Sequence, residues 1–312
     1  MKCQTLSHIV EFRIPGFENV HPRGYFHCLA LSGKDSREWY KDFIELCSDK
    51  IGGGFFPVCR LGDGEFEFCI GKWISPAKQV NESLHGYIYR KLRDRVTHMR
   101  SHYFKLGDRL AGHYTKDEWK QNRNKAAATL REISEIGVIC PNFEYDDVQF
   151  AQQYYRPMLN WFSINNIRLT ERNYFSFFFI YAMMSGPDRF RLLTNRNVLV
   201  VTNFDAAKKQ NIQKSLLSDG CRTVQFVNIS AERTLYDTID LSEIIHPLDI
   251  VLLGAGVGKF NIIPQLRGTN TICLDIGFIM EIYANPDIKH DKLMTRVFTV
   301  CDHEDDPVCL KS

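Results

Sequence analysis

From residue 196 onward, without any internal sequence repeat, apolar runs of strand length are each followed by a stretch of helical spacing. "NVLVVTN" leads into "DAAKKQNIQKSLLSDG", with Gly220 as its stop, and "CRTVQFVNI" leads into a short helix. "PLDIVLLGAG" then leads into "GKFNIIPQLRG", and "TNTICLDIG" follows. Strands that are apolar throughout, rather than alternating, are buried on both faces. Strands each followed by a helix form a parallel sheet covered on both sides. The pattern therefore predicts an α/β, Rossmann-like fold with a mostly parallel sheet and helices on both faces.

Upstream the same grammar is less regular. "HIVEFRI" and "YFHCLAL" read as short strands. Residues 36–50 read as an amphipathic helix with Ser36 as N-cap, "GGG" at 52–54 ends it, and "FFPVCRL" follows as a strand. Residues 79–104 and 115–135 have helical periodicity, and "IGVIC" at 136–140 reads as a buried strand. Residues 145–185 are aromatic-rich and mostly helical, up to Gly186-Pro187. We read one domain over 1–312, with an N-terminal extension (1–35), a strand-loop and helix-rich section (36–195) and a regular Rossmann-like section (196–312).

Composition narrows the classes. With 312 residues, 44% of them hydrophobic and 24% charged, the chain can bury a sizeable core. A net charge of +2, spread along the chain, lacks the concentrated basic face of a nucleic-acid binder. The basic run 90–100, "RKLRDRVTHMR", reads as a solvated helix face. None of the ten cysteines forms a CxxC pair, and those in apolar runs (Cys59, Cys140, Cys273) read as small buried hydrophobes. The N-terminus lacks the apolar segment of a signal peptide. The longest apolar run, 174–184, is too short to span a bilayer and reads as a buried helix. A cytoplasmic protein is expected, with no transmembrane segment and peripheral membrane contact left open.

Two motifs carry chemistry. The first is "CRLGDGEFEF" at 59–68. Asp-Gly is a hairpin-turn signal, so "PVCRL" and "EFEFCI" read as two paired strands with Phe66 and Phe68 inward and Glu65 and Glu67 in solvent. The alternative is a ligand loop. On an extended segment Asp63 and Glu65 point the same way, and two carboxylates suit Mg²⁺ or Mn²⁺ completed by waters and substrate phosphates. The second motif is "DIVLLGAGVGKF" at 249–260, a strand, a glycine-rich turn and a helix start. Free N–H groups at such a turn bind phosphate, with Gly256, Gly258 and Lys259 nearest the anion. Asp275, at the end of the next strand, is spaced like the ribose-binding acid of a dinucleotide fold, but Lys259 stands where that fingerprint has its third glycine. A turn with no ligand is the plain alternative.

Together these motifs resemble the GT-D glycosyltransferases, bacterial sugar transferases with an Asp-x-Glu metal motif. The family's Arg, apolar residue, Gly-Asp-Gly-Glu signature is matched by Arg60-Leu61-Gly62-Asp63-Gly64-Glu65. Its later glycine loop and apolar-Asp-Ile-Gly stretch are matched by Gly254-Ala255-Gly256 and Leu274-Asp275-Ile276-Gly277. The chain departs at Phe278, where many members have His, and at Thr202-Asn203, where many have an acid and a glycine.

The resemblance implies a hexosyltransferase-type enzyme that moves a sugar from a nucleotide-sugar donor, a UDP-sugar first, to a glycan, lipid-linked or protein-linked acceptor in bacterial surface polysaccharide or glycoprotein assembly. Asp63 and Glu65 would then be catalytic and hold Mn²⁺ or Mg²⁺. Arg60, Gly62, Gly64, Asn203, Gly254, Gly256, Gly258, Lys259, Asp275 and Gly277 would bind the donor, although Arg60 also reads as a structural ion-pair partner. Glu67, Asp205 and His246 are candidate general bases, each also readable as a surface or capping residue. The acidic tail "CDHEDDPVC" at 301–309 reads as solvated. An NAD-dependent oxidoreductase using 254–275, or a Rossmann-like protein without catalysis, are the competing functions.

Overall fold

The computed structural model describes residues 8–13, 25–30, 36–71, 114–143 and 155–285. The helix expected at 79–104 with its basic run, and the tail 301–309, lie outside the described residues. Strands β1 (His8–Arg13) and β2 (Tyr25–Ala30) pair antiparallel. The main sheet uses β3 (Phe56–Leu61), β4 (Val138–Pro141), β5 (Asn197–Thr202), β6 (Thr223–Asn228), β7 (Ile250–Leu253) and β8 (Ile272–Asp275). Its six strands run in the order β4-β3-β8-β7-β5-β6, and every pairing is parallel. The expected α/β architecture is therefore observed. Strands β3, β4, β5, β7 and β8 are buried at every residue, as unalternating apolar runs require. Each Val or Leu so buried contributes about 1.5–3 kcal/mol.

The helices form where spacing and capping agree. Helix α1 (Ser36–Asp49) buries Trp39, Tyr40, Phe43, Ile44 and Cys47, one stripe at helical spacing. The next helix, α2 (Asp63–Ile70), follows β3 directly. Helix α3 (Lys116–Ile136) starts on a capping box: the Glu118 N–H donates to Thr115 Oγ1 at 3.2 Å, and the Thr115 N–H donates to Glu118 at 2.6 Å. The aromatic section contains α4 (Arg156–Ile164), an irregular stretch, and α5 (Phe177–Ser185). Helix α5 is buried almost all round, as its uniformly apolar sequence demands, and it stops at Gly186. Helices α6 (Asp188–Leu193) and α7 (Ala206–Ser218) flank β5 in sequence, and α8 (Lys259–Ile262) and α9 (Ile279–Ala284) follow among the described residues. Cys47, Cys59, Cys69, Cys140, Cys221 and Cys273 are all buried free thiols. Among the described residues no helix is long and apolar enough to cross a membrane.

The topology sets where a ligand can enter. After β5 the chain moves outward to β6, whereas after β7 it moves inward to β8. Right-handed crossovers then put α7 and α8 on opposite faces of the sheet. Their partners agree, since α7 packs on α9 and α8 on α3. Adjacent strands whose connections leave in opposite directions open a crevice at their C-terminal ends. The turns after β5 and β7 border that crevice, and the turns after β8 and β3 extend the same edge.

Asp205, a candidate base, caps α7 by accepting the Lys208 N–H at 2.9 Å. Asp205→Ala is expected to lower unfolding free energy by about 1 kcal/mol, the loss of one N-cap, in urea denaturation.

Candidate functional site

The acidic motif is neither a hairpin nor an extended loop. Gly62 is the N-cap of α2, Asp63 is its first residue, and "EFEFCI" is helical. Two residues of a helix spaced as Asp63 and Glu65 are point about 200° apart, so the expected same-side geometry does not hold. Phe66 and Phe68 are inward as expected, but on different sides of a helix. Phe68 stacks on Phe260 and meets Trp119 edge-on, while Phe66 packs on Phe143. An aromatic environment on two sides lets an alternating sequence bury its Phe residues as a helix. Of Asp63 only the backbone is described.

Glu65 turns back from the third position of α2. Its Oε2 accepts the Gly62 N–H at 3.0 Å, and its Oε1 lies 2.9 Å from Lys259 Nζ. Lys259, the first residue of α8, is 1% exposed. Its ammonium also donates to the Arg60 carbonyl at 2.8 Å and to Asp275 Oδ2. Asp275, fully buried at the end of β8, accepts the Arg60 backbone N–H at 3.1 Å on the same oxygen. The Arg60 guanidinium lies over the rings of Phe177 (4.7 Å) and Tyr181 (4.6 Å). Its Nε donates to the Asp275 carbonyl at 2.7 Å. Arg60 reaches Asp275 from the α5 side and Lys259 reaches it from the α8 side. Two cations and two carboxylates thus form one neutral cluster joining β3, α2, β8 and α8, buried except at Glu65, which is partly exposed.

Electrostatics keep Glu65 and Lys259 ionised. Burial alone would raise the Glu65 pKa, but the Lys259 ammonium and then Arg60 outweigh it and hold the carboxyl below its ordinary value. Burial would likewise depress Lys259, yet Asp275 and Glu65 together raise it. The same cluster explains Gly277. Its φ is +48°, and a Cβ there would lie 1.5 Å from Arg60 Nη2, so only glycine leaves room for the guanidinium.

The remaining expected residues divide by exposure. Gly62, Gly258 and Asp275 are buried, whereas Gly64, Gly254 and Gly277 are partly exposed. Gly256 and Asn203 are exposed on the crevice, on the turns after β7 and β5. Gly256 has φ +52°, and a Cβ on it would meet nothing within 4 Å, which leaves open space over its backbone. Thr202, beside Asn203, is buried, and its Oγ1 has no hydrogen-bond partner among the described residues. Phe278 is half-buried at the same edge. His246 is exposed but precedes β7, at the opposite edge of the sheet. Among the described residues no group of three or more His, Cys, Asp or Glu forms a metal cluster.

What the sequence did not disclose is the set of partners around Lys259. A signal was present: the only charged residue of "AGVGKFNII" is this lysine, and a lysine inside an apolar run needs a buried carboxylate.

The family of GT-D fold-like domains matches residues 54–283. The chain belongs to that family. Its fold is of a glycosyltransferase type, and the match begins just before β3 and ends within α9. Two solved structures are similar in outline. One is described as a highly conserved domain of unknown function 1792 with a distinct glycosyltransferase fold; it is 13% identical, has a TM-score of 0.42, and the alignment covers 80% of this chain and 86% of that one. The other, a selenomethionine-substituted structure of domain of unknown function 1792, is 14% identical with a TM-score of 0.41 and the same coverage. No curated protein matches the chain.

Two outcomes test the cluster. Gly277→Ala should destabilise the protein by about 3 kcal/mol in denaturant unfolding, from overpacking plus left-handed strain. Glu65, whose pKa is lower folded than unfolded, stabilises the protein above pH 4.5 and loses that effect as pH falls through the lower folded value. Glu65→Gln should therefore flatten the acid limb of a melting-temperature profile below pH 4.5.

Proposed function

We propose that this GT-D protein is a metal-dependent glycosyltransferase that moves a sugar from a nucleoside-diphosphate sugar, a UDP-sugar first, to a hydroxyl of a glycan or glycoconjugate. One observation carries the reading: the acidic turn after β3 and the open glycine turn after β7 lie on one edge of the sheet and are tied together through Lys259. Fold alone does not assign chemistry, and these two turns offer a carboxylate arm and a backbone cradle for a diphosphate. Assembly of a bacterial surface polysaccharide or glycoprotein is the setting this reading favours.

The residues suit a hard divalent cation, Mn²⁺ or Mg²⁺. Each Glu65 oxygen already accepts one N–H and keeps lone-pair capacity, so Glu65 fits a water on the ion. Asp63, at the opening of α2, is the direct ligand in this reading. When bound, the ion neutralises charge on the departing nucleoside diphosphate. The backbone at Gly256 receives a phosphate without side-chain obstruction, and Asn203 borders the nucleoside across the crevice. The NAD alternative needs Asp275 to bind a ribose; its carboxylate is fully buried on Lys259 and Arg60.

Thermal shift with UDP, GDP, dTDP and NAD, each with and without Mn²⁺, tests the reading. Stabilisation by a nucleoside diphosphate only with Mn²⁺ is expected; stabilisation by NAD alone would refute it. Gly256→Ala is expected to weaken nucleotide binding about tenfold while costing only about 1–2 kcal/mol of stability, the strain of a left-handed alanine, read by titration calorimetry and denaturant unfolding.

A further inference from the structure

We infer that Lys259 is a positioning residue that sets the separation of the acidic and glycine turns from inside the protein and does not hold the donor phosphates. The inference rests on the nucleotide-sugar reading for the site being positioned, although the contacts behind it do not depend on any ligand.

An ammonium has three N–H donors. At Lys259 there is one acceptor for each: the Arg60 carbonyl at 2.8 Å, Glu65 Oε1 at 2.9 Å, and Asp275 Oδ2. The side chain is 1% exposed, so reaching a phosphate in the crevice would mean giving up one of these acceptors and uncovering a buried carboxylate. The location of the three acceptors defines the role. Lys259 follows Gly256–Gly258 directly and therefore anchors the glycine turn. Glu65, held on its other oxygen by the Gly62 N–H, anchors the first turn of α2, in which Asp63 stands. Arg60 and Asp275 tie both to neighbouring strands β3 and β8. One ammonium thus fixes both arms of the site relative to the sheet. The ionisable groups around it are Glu65 and Cys69 from α2, Asp275 from β8, and Arg60 and Cys59 from β3.

Two measurements decide this. The first is limited acetylation of the folded wild-type protein, with and without UDP and Mg²⁺, read by mass spectrometry at Lys259 against exposed Lys41. Lys259 should react far more slowly than Lys41, and at a rate UDP does not change; ready acetylation that UDP suppresses would overturn the inference. The second compares wild type with Lys259→Met and with Lys259→Met/Asp275→Asn, which removes one charge of each sign. The single variant should lose melting temperature, because Glu65 and Asp275 then face one guanidinium. The double variant should regain stability yet bind UDP with Mg²⁺ about tenfold more weakly than wild type, about 1.4 kcal/mol. Affinity that returns together with stability would show a merely structural lysine and overturn the inference. If the single variant does not fold, the double variant alone carries this comparison. If wild type binds no nucleoside diphosphate, the donor reading fails, whereas the acetylation contrast and the melting temperatures of the variants still report on the cluster.

Discussion

The Lys259 ammonium, set between Glu65 and Asp275 and beneath the Arg60 carbonyl, is the interaction on which the rest of the site depends. Buried charges are costly unless paired and fully hydrogen-bonded, and losing one partner of such a pair typically costs about 3–5 kcal/mol. Here the charges balance and the Asp275 oxygen nearest Lys259 also accepts the Arg60 N–H, while the other Asp275 oxygen has only the Arg60 guanidinium 3.8 Å away and no hydrogen bond among the described residues. The cluster stands where the two layers of helices meet the C-terminal edge of the sheet. Its demands spread outward: Phe177 and Tyr181 must flank the guanidinium, and residue 277 must lack a Cβ.

The division between buried and open positions follows from this cluster. Residues that hold the edge together face inward, while Gly256 and Asn203, on turns from strands whose connections diverge, face the crevice. A charged residue in a ligand-binding motif can thus act without touching ligand. Lys259 belongs by sequence to the glycine turn and by contact to the acidic one.

Much of the fold was legible because burial on both faces leaves a direct trace in composition. The runs at 197–202, 250–253 and 272–275 could be little other than central parallel strands. The conformation of 63–70 was not legible. "EFEFCI" alternates like a strand, and only distant residues, Phe143, Trp119 and Phe260, supply the two-sided apolar surroundings that favour a helix. The site was legible as a list of motifs but not as a geometry. Ion-pair partners far apart in sequence, as Asp275 and Glu65 are from Lys259, leave no local signature. The glycine at 277 looked like part of a ligand motif, and in the fold its missing side chain makes room for an arginine.

A crystal structure of the protein soaked with Mn²⁺ and UDP would locate both ligands, through the anomalous signal of the ion and the position of the diphosphate. An ion beside Asp63, a diphosphate over the open backbone of Gly256, and Lys259 still bound to Glu65 and Asp275 are expected. A diphosphate bonded to the Lys259 ammonium, or one bound away from the β3 and β7 turns with no ion at Asp63, would contradict this arrangement.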